Sequence, residues 1–221
     1  MRIVIAGGHG RIALRLSRLL TERGDHVIGL IRQPEHAEDV RAAGAEPVLL
    51  DLESASIDEV AHALESAQAD AVVFAAGAGS GSGSERKETM DRAGAVLLAD
   101  GAETAGVRRY VMLSSMGADA HSRFDGDPVL RAYLRAKGAA DDDIRGRTGL
   151  DWTVLRPGTL RNEPGTGKVR IDRSTGGGFI PRDDAAAVLA ELLATPGTSR
   201  QTIEVIAGDV PVSDAVAALA H

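Results

Sequence analysis

The chain has 221 residues, 43% of them hydrophobic, a formal net charge of -7 at pH 7 and no cysteine. That length and apolar content suffice for one domain with a sizeable core. The negative balance, with only two Tyr, three Phe and one Trp, speaks against a nucleic-acid partner. The absence of Cys excludes disulfides, thiolate chemistry and Cys-based zinc sites, and the six His show no metal-binding spacing, so no metal is expected. The chain opens directly into a strand and holds no apolar run of roughly 18 residues, which predicts a soluble, cytoplasmic protein without membrane contact.

Arg2-Ile3-Val4-Ile5-Ala6 reads as a buried strand. Gly7-Gly8-His9-Gly10-Arg11-Ile12-Ala13 follows with the spacing G-x-x-G-x-x-A, and residues 10–23 carry Ile12, Leu16, Leu19 and Leu20 on one helical face. Such a strand, turn and helix lets backbone N–H groups and the positive helix end approach a pyrophosphate with no Cβ between them. Gly7, Gly8, His9, Gly10, Arg11 and Ile12 are therefore candidate cofactor residues.

Gly24-Asp25 ends that helix, and residues 26–31 form a second apolar strand that stops at Arg32. In dinucleotide folds the residue ending this strand meets the adenosine ribose. An acid there bonds the 2′-OH of NAD, whereas a base accommodates the extra phosphate of NADP. Arg32 makes NADP (NADPH) the expected cofactor, with Arg11 able to share the phosphate; an ordinary solvated Arg is the alternative. Residues 34–43 read as a short helix and 46–50 as a third strand. It ends at Asp51, where Asp51 and the backbone at Leu52 could lie beside the adenine or simply form a turn.

A helix over 57–64 leads to a fourth strand, 71–74, running into Ala75-Ala76-Gly77, whose small size suits close backbone approach to the cofactor. The low-complexity Gly79-Ser80-Gly81-Ser82-Gly83-Ser84 predicts a mobile loop over the site. A long helix, 88–105, precedes a fifth strand, 109–113, that delivers Ser114 and Ser115 to the ligand-facing end of the sheet. The helix over 129–147 carries Tyr133 and Lys137, and 151–155 is a sixth strand, followed by Arg156-Pro157-Gly158. From 159 to 181 the pattern is Gly-rich and polar, with a short strand near 168–172. A helix near Asp184, a strand over 202–206 and a helix over 212–219 complete the chain. The expectation is an α/β, Rossmann-type doubly wound parallel sheet in a single domain, 1–221, with 159–181 and 200–221 as a small C-terminal substrate-side annex.

Tyr133-Leu134-Arg135-Ala136-Lys137 is the stretch that could do chemistry. A free Tyr, with a pKa of about 10, is a poor acid or base at neutral pH, but an ammonium one helical turn away stabilises the phenolate. Lys137 could supply that charge and bond the nicotinamide ribose. Ser115 could donate to a substrate carbonyl while Tyr133 gives or takes the proton that accompanies hydride transfer. A half-buried Tyr beside a snorkelling Lys is the plainer alternative.

These motifs, with Phe74-Ala75-Ala76-Gly77, Tyr110-Val111-Met112-Leu113-Ser114-Ser115 and Trp152-Thr153-Val154-Leu155-Arg156-Pro157-Gly158, extend along nearly the whole chain. Together they resemble the short-chain dehydrogenase/reductase superfamily, and more narrowly its atypical members with an extended-type glycine turn, described as epimerase-like or NAD(P)H-binding proteins. The resemblance implies Ser115 as the catalytic Ser, with Ser114 the less favoured neighbour, and Tyr133 and Lys137 as the Tyr and Lys. The fourth member, usually an Asn that holds a proton-relay water, is replaced by Asp91. Pro157 and Gly158 match the segment whose backbone contacts the nicotinamide carboxamide.

Asp141-Asp142-Asp143 reads as a solvated helix face, Trp152 as core, and Arg182-Asp183-Asp184 as a helix start with an Asp as N-cap. Gly165-Thr166-Gly167-Lys168 is only faintly like a triphosphate loop, because Val169 replaces its Mg²⁺-binding hydroxyl and Asn162 its first Gly. A methyltransferase would want an acid where Arg32 stands. The expected function is an NADP-dependent oxidoreductase acting on a small carbonyl or hydroxyl substrate, as monomer or homodimer. The alternatives are an epimerase or dehydratase that recycles its own NADP and a non-catalytic NADP-binding redox sensor.

Overall fold

Along β1 (Arg2–Ala6), Ile3 and Ile5 pack into one core while Val4 and Ala6 pack into another on the opposite face. A strand covered on both faces has no polar side, which is why the run is continuously apolar rather than alternating. The computed structural model describes residues 1–79 and 81–220. After β1 come β2 (His26–Ile31), β3 (Glu46–Leu49), β4 (Ala71–Phe74), β5 (Arg109–Leu113) and β6 (Asp151–Pro157). The remaining strands are β7 (Thr159–Arg161), β8 (Lys168–Asp172), β9 (Phe179–Pro181), β10 (Gln201–Ala207) and β11 (Val210–Pro211).

The main sheet runs β3-β2-β1-β4-β5-β6-β10-β8-β11, parallel from β3 through β10, with β8 antiparallel to β10 and β11 antiparallel to β8. β7 and β9 pair separately. The expected doubly wound sheet is present. Strand 201–207, assigned from sequence to the annex, instead lies inside the main sheet against β6. Its apolar Ile203 and Val205 are buried in the first core; of the 159–181 segment, β8 also joins the main sheet, against β10, while β7 and β9 pair with each other.

The helices are α1 (Arg11–Glu22), α2 (Ala37–Ala42), α3 (Ile57–Ser66), α4 (Ser84–Arg86), α5 (Ala95–Thr104), α6 (Pro128–Gly146), α7 (Arg182–Ala194) and α8 (Val212–Ala217). Residues of α1, α7 and α8 fill the core beneath Ile3 and Ile5, and those of α3, α5 and α6 fill the core beneath Val4 and Ala6. The expected long helix is three consecutive pieces, because a π-helical stretch, Lys87–Gly94, joins α4 to α5. Strand order reverses at β1, which has β2 on one side and β4 on the other, and ligands bind such sheets in the crevice at this switch point.

One detail departs from the sequence reading. Asp183 and Asp184 do not cap α7, whose N-cap is Pro181. Asp184 is buried and accepts the N–H groups of Thr166 and Gly167, while Asp183 accepts from Arg15 and the Gly165 N–H. The Gly-rich segment 165–167 is thus fastened to the start of α7. Trp152 is core, as expected.

Candidate functional site

Two adjoining clefts, of about 330 and 480 Å³, open at the switch point and share the segment Ala75 to Gly79 as a common wall. The first is lined by Gly7, His9, Gly10, Arg32, Asp51, Leu52, Ala75, Ala76 and Gly77, nine of the residues singled out as cofactor candidates. Gly7 has φ +78°, and a Cβ there would come within 2.6 Å of Ala76 Cα. A side chain would push β4 away from the turn. Gly8 faces the other way, where a Cβ would meet Gly29 Cα at 2.7 Å, and its N–H donates to Leu30 O. Ile12 is buried in the core and Arg11 is exposed outside the lining. Helix α1 begins at Gly10 with no side-chain cap, leaving its positive end for an anion.

Arg32 lies at the outer end of this groove, its Nη1 3.7 Å from Glu53 Oε2. Arg86 shares that carboxylate, donating to Oε2 through Nε at 3.1 Å and Nη2 at 2.8 Å, while Thr89 donates to Oε1 at 2.7 Å. Hydrogen bonds from Arg86 hold the Glu53 carboxyl below its ordinary value, against the opposing effect of burial. His9 stacks on His36 with ring centroids 3.7 Å apart, and both line the groove.

The second cleft brings Asp91, Ser114, Tyr133 and Lys137 together with Lys87, Asp127, Val129, Leu130 and Leu160. Lys137 is buried, donates to Leu113 O at 3.1 Å and lies 3.4 Å from Asp91 Oδ1, above the Phe74 ring. The other Asp91 oxygen accepts the Ala78 N–H at 3.2 Å, so this Asp joins the shared wall to Lys137. The Tyr133 hydroxyl makes no hydrogen bond among the described residues. Of the two serines, Ser114 lines the cleft; Ser115 does not, and its hydroxyl donates to Met116 O. Pro157 and Gly158 line neither cleft: Pro157 O accepts the Met116 N–H, and Gly158 N–H donates to Val205 O.

Behind Ser114 stands Asp141, the fully buried member of the run read as a solvated face. Arg156 donates to its Oδ2 at 2.7 Å, while the Ser114 hydroxyl and the other Asp141 oxygen are buried with no hydrogen-bond partner among the described residues. Burial, the largest influence, raises the pKa of Asp141, with the positive charges of Arg156 and Lys137 opposing it. Asp142 and Asp143 do face solvent, paired with Arg145 and Arg147. The buried face of α6 runs through Ala136, Lys137, Ala140, Asp141 and Ile144, so position 141 follows Lys137 by one turn onto the same face.

Sequence reasoning missed Arg86, Lys87 and Glu53. A signal was available for the first two: cations in the opening turns of a helix oppose its dipole, so some other partner must hold them. Arg86 and Lys87 donate to the carbonyls of Ala78 and Gly79, which fastens the near end of the loop expected to be mobile. Ser80 of that loop lies outside the described residues. The π-helical stretch that begins at Lys87 has no clear sequence signature.

A model of NAD(P)H-binding proteins matches residues 7–196. The uncharacterized sugar epimerase YhfK of Bacillus subtilis is 36% identical over 98% of this chain and 99% of its own. A Bacillus halodurans protein named as a candidate NAD-dependent epimerase/dehydratase is also 36% identical, with a TM-score of 0.89 over 99% of each chain. The oxidoreductase ylbE of Lactococcus lactis is 26% identical, with a TM-score of 0.85 over 99% of this chain and 96% of that one.

Proposed function

Because the chain belongs to the NAD(P)H-binding family, we propose that it is an NADP-dependent oxidoreductase of the short-chain dehydrogenase/reductase type, acting on a small carbonyl or hydroxyl substrate. The observation that carries this reading is the meeting of Tyr133, Lys137, Asp91 and Ser114 in one cleft that shares a wall with the glycine groove. The groove suits a dinucleotide: it has the uncapped start of α1 for a pyrophosphate and two guanidiniums, Arg32 and Arg86, at its outer end. Arg32 supports NADP over NAD, since no acid ends β2.

A nicotinamide cofactor in the groove supplies or accepts the hydride. Tyr133 gives or takes the accompanying proton at its hydroxyl. Lys137, held by Leu113 O and Asp91, places a fixed positive charge one helical turn from Tyr133. Ser114, which lines the cleft where Ser115 does not, is the hydroxyl proposed to orient the substrate oxygen. Asp91 fixes Lys137 against the Ala78 backbone, a positioning task for which a carboxylate serves in place of the usual Asn.

The names of the relatives favour a second reading, an epimerase or dehydratase that returns the hydride to the same molecule. It predicts turnover with no net consumption of cofactor.

Titrating the protein with NADPH and NADH, and repeating this on Arg32→Ala, tests the cofactor assignment. NADPH is expected to bind about tenfold tighter, a gap of about 1.4 kcal/mol, and Arg32→Ala to close it. Equal binding of both nucleotides would overturn the NADP assignment, and binding of neither would overturn the reading as a whole. Tyr133→Phe is expected to abolish turnover with NADPH affinity kept within a few-fold; full residual activity rules Tyr133 out as the acid.

A further inference from the structure

We infer that the second cleft takes a small molecule bearing an anionic oxygen group, a carboxylate or a phosphate, and that Lys87 receives that group. The inference rests on the reading of this cleft as the substrate site. The other cations around the site have carboxylates: Arg86 has Glu53 at 2.8 Å, Lys137 has Asp91 at 3.4 Å and Arg156 has Asp141 at 2.7 Å. Lys87 is only 8% exposed, yet no carboxylate pairs with it among the described residues. A buried ammonium without an anion is costly unless a ligand supplies one.

Its surroundings point the same way. Of the three ammonium donors, one is used on Gly79 O at 3.0 Å, and the Tyr133 ring centroid lies 5.6 Å away. The two acids lining the cleft are otherwise engaged. Asp91 is divided between Ala78 N–H and Lys137, and Asp127 is exposed and caps α6 through the Val129 N–H. Arg86 and Lys87 are adjacent in sequence but part company at the wall: Arg86 lines the glycine groove and Lys87 lines the second cleft. The anion is therefore expected on the substrate rather than on the dinucleotide. Val129, Leu130 and Leu160 line the same cleft and suit a hydrocarbon portion. An anion at Lys87 would sit beside Tyr133, next to the carbonyl or hydroxyl that reacts.

The test is calorimetric titration of the protein loaded with oxidised NADP, with benzoylformate and with its uncharged methyl ester, on the unmutated chain, Lys87→Met and Lys87→Arg. Oxidised NADP keeps the cofactor's own anion site filled and cannot reduce the probe's carbonyl, so the heat reads binding alone. The acid is expected to bind about tenfold tighter than the ester, about 1.4 kcal/mol. Lys87→Met should remove that preference while leaving ester binding and NADPH affinity within a few-fold, and Lys87→Arg should retain part of it. A merely structural role for Lys87 would weaken ester and acid alike. Competition by inorganic phosphate identifies a phosphate-type group; failure to compete identifies a carboxylate. No measurable binding of the acid, equal binding of acid and ester, a preference that survives Lys87→Met, or a large loss of NADPH affinity in that variant overturns the inference. Failure of NADPH to bind the unmutated chain is a separate result, and it removes the cofactor reading on which this inference stands.

Discussion

The two adjoining clefts form the outer and inner ends of one site and carry the same kinds of charge in opposite surroundings. At the outer end Arg32, Arg86 and Glu53 are 41, 30 and 21% exposed. At the inner end Asp91, Lys137 and Asp141 are almost wholly enclosed. Exposed charges are screened and can exchange partners, so the outer end can discriminate between ligands at little cost to the fold. Asp91, Lys137 and Asp141 are buried and paired even when no ligand is bound, so they hold one geometry and tolerate little change. Cofactor selectivity and rigidity are thus separated between the two clefts.

The sharpest way to break this contrast lies within a single run of three acids. Asp141→Ala should destabilise the protein by about 3 kcal/mol or more, because Arg156 is left without its anion. Asp142→Ala, one residue on but exposed, should stay within about 0.5 kcal/mol. Urea midpoints of the two variants decide the matter, and equal losses would mean that burial does not separate the two acids.

Gly7→Ala should follow, at roughly 2 kcal/mol. Its left-handed backbone disfavours any side chain, and the new methyl would meet Ala76 Cα at 2.6 Å. Since that contact forms the wall of both clefts, NADPH affinity should fall along with thermal stability. Unchanged affinity would detach the glycine turn from the groove.

The smallest effect is expected at the outer end. Glu53→Gln should strengthen NADPH binding by a few-fold, at most about 1 kcal/mol, by freeing Arg32 and Arg86 from their carboxylate. NADH binding should change less, because it lacks the phosphate those cations would meet. Parallel titrations check this, and weaker NADPH binding would show that Glu53 positions the arginines rather than competing for them. The pH dependence has the matching sign. The Glu53 carboxyl lies below its ordinary value of 4.5, so the stability it adds is present above that pH and is lost as pH falls through its lower folded value. Acid unfolding curves of Glu53→Gln should lack this component.

Much of the groove could be read before any coordinates. Strand periodicity located the segments from β1 through β6 to within a few residues, and the glycine spacing located the turn, because both depend on neighbours close in the chain. Tyr133 and Lys137 were legible for the same reason, as one helical turn brings them to one face. What spacing could not convey is which polar groups lose their water. Asp141 and Asp142 are indistinguishable as letters, yet α6 buries the first against Arg156 and leaves the second to solvent.

Sequence by itself determined the alternation of strand and helix, the glycine turn, the base at the end of β2 and the Tyr and Lys pair. Tertiary structure decided that Ser114 rather than Ser115 lines the cleft, that 201–207 joins the main sheet, and that Arg86 and Lys87 fall on opposite sides of one wall. The physical reason is range. Periodicity and turn chemistry act over a few residues, whereas burial and charge pairing depend on which distant segments meet, and only the folded chain brings them together.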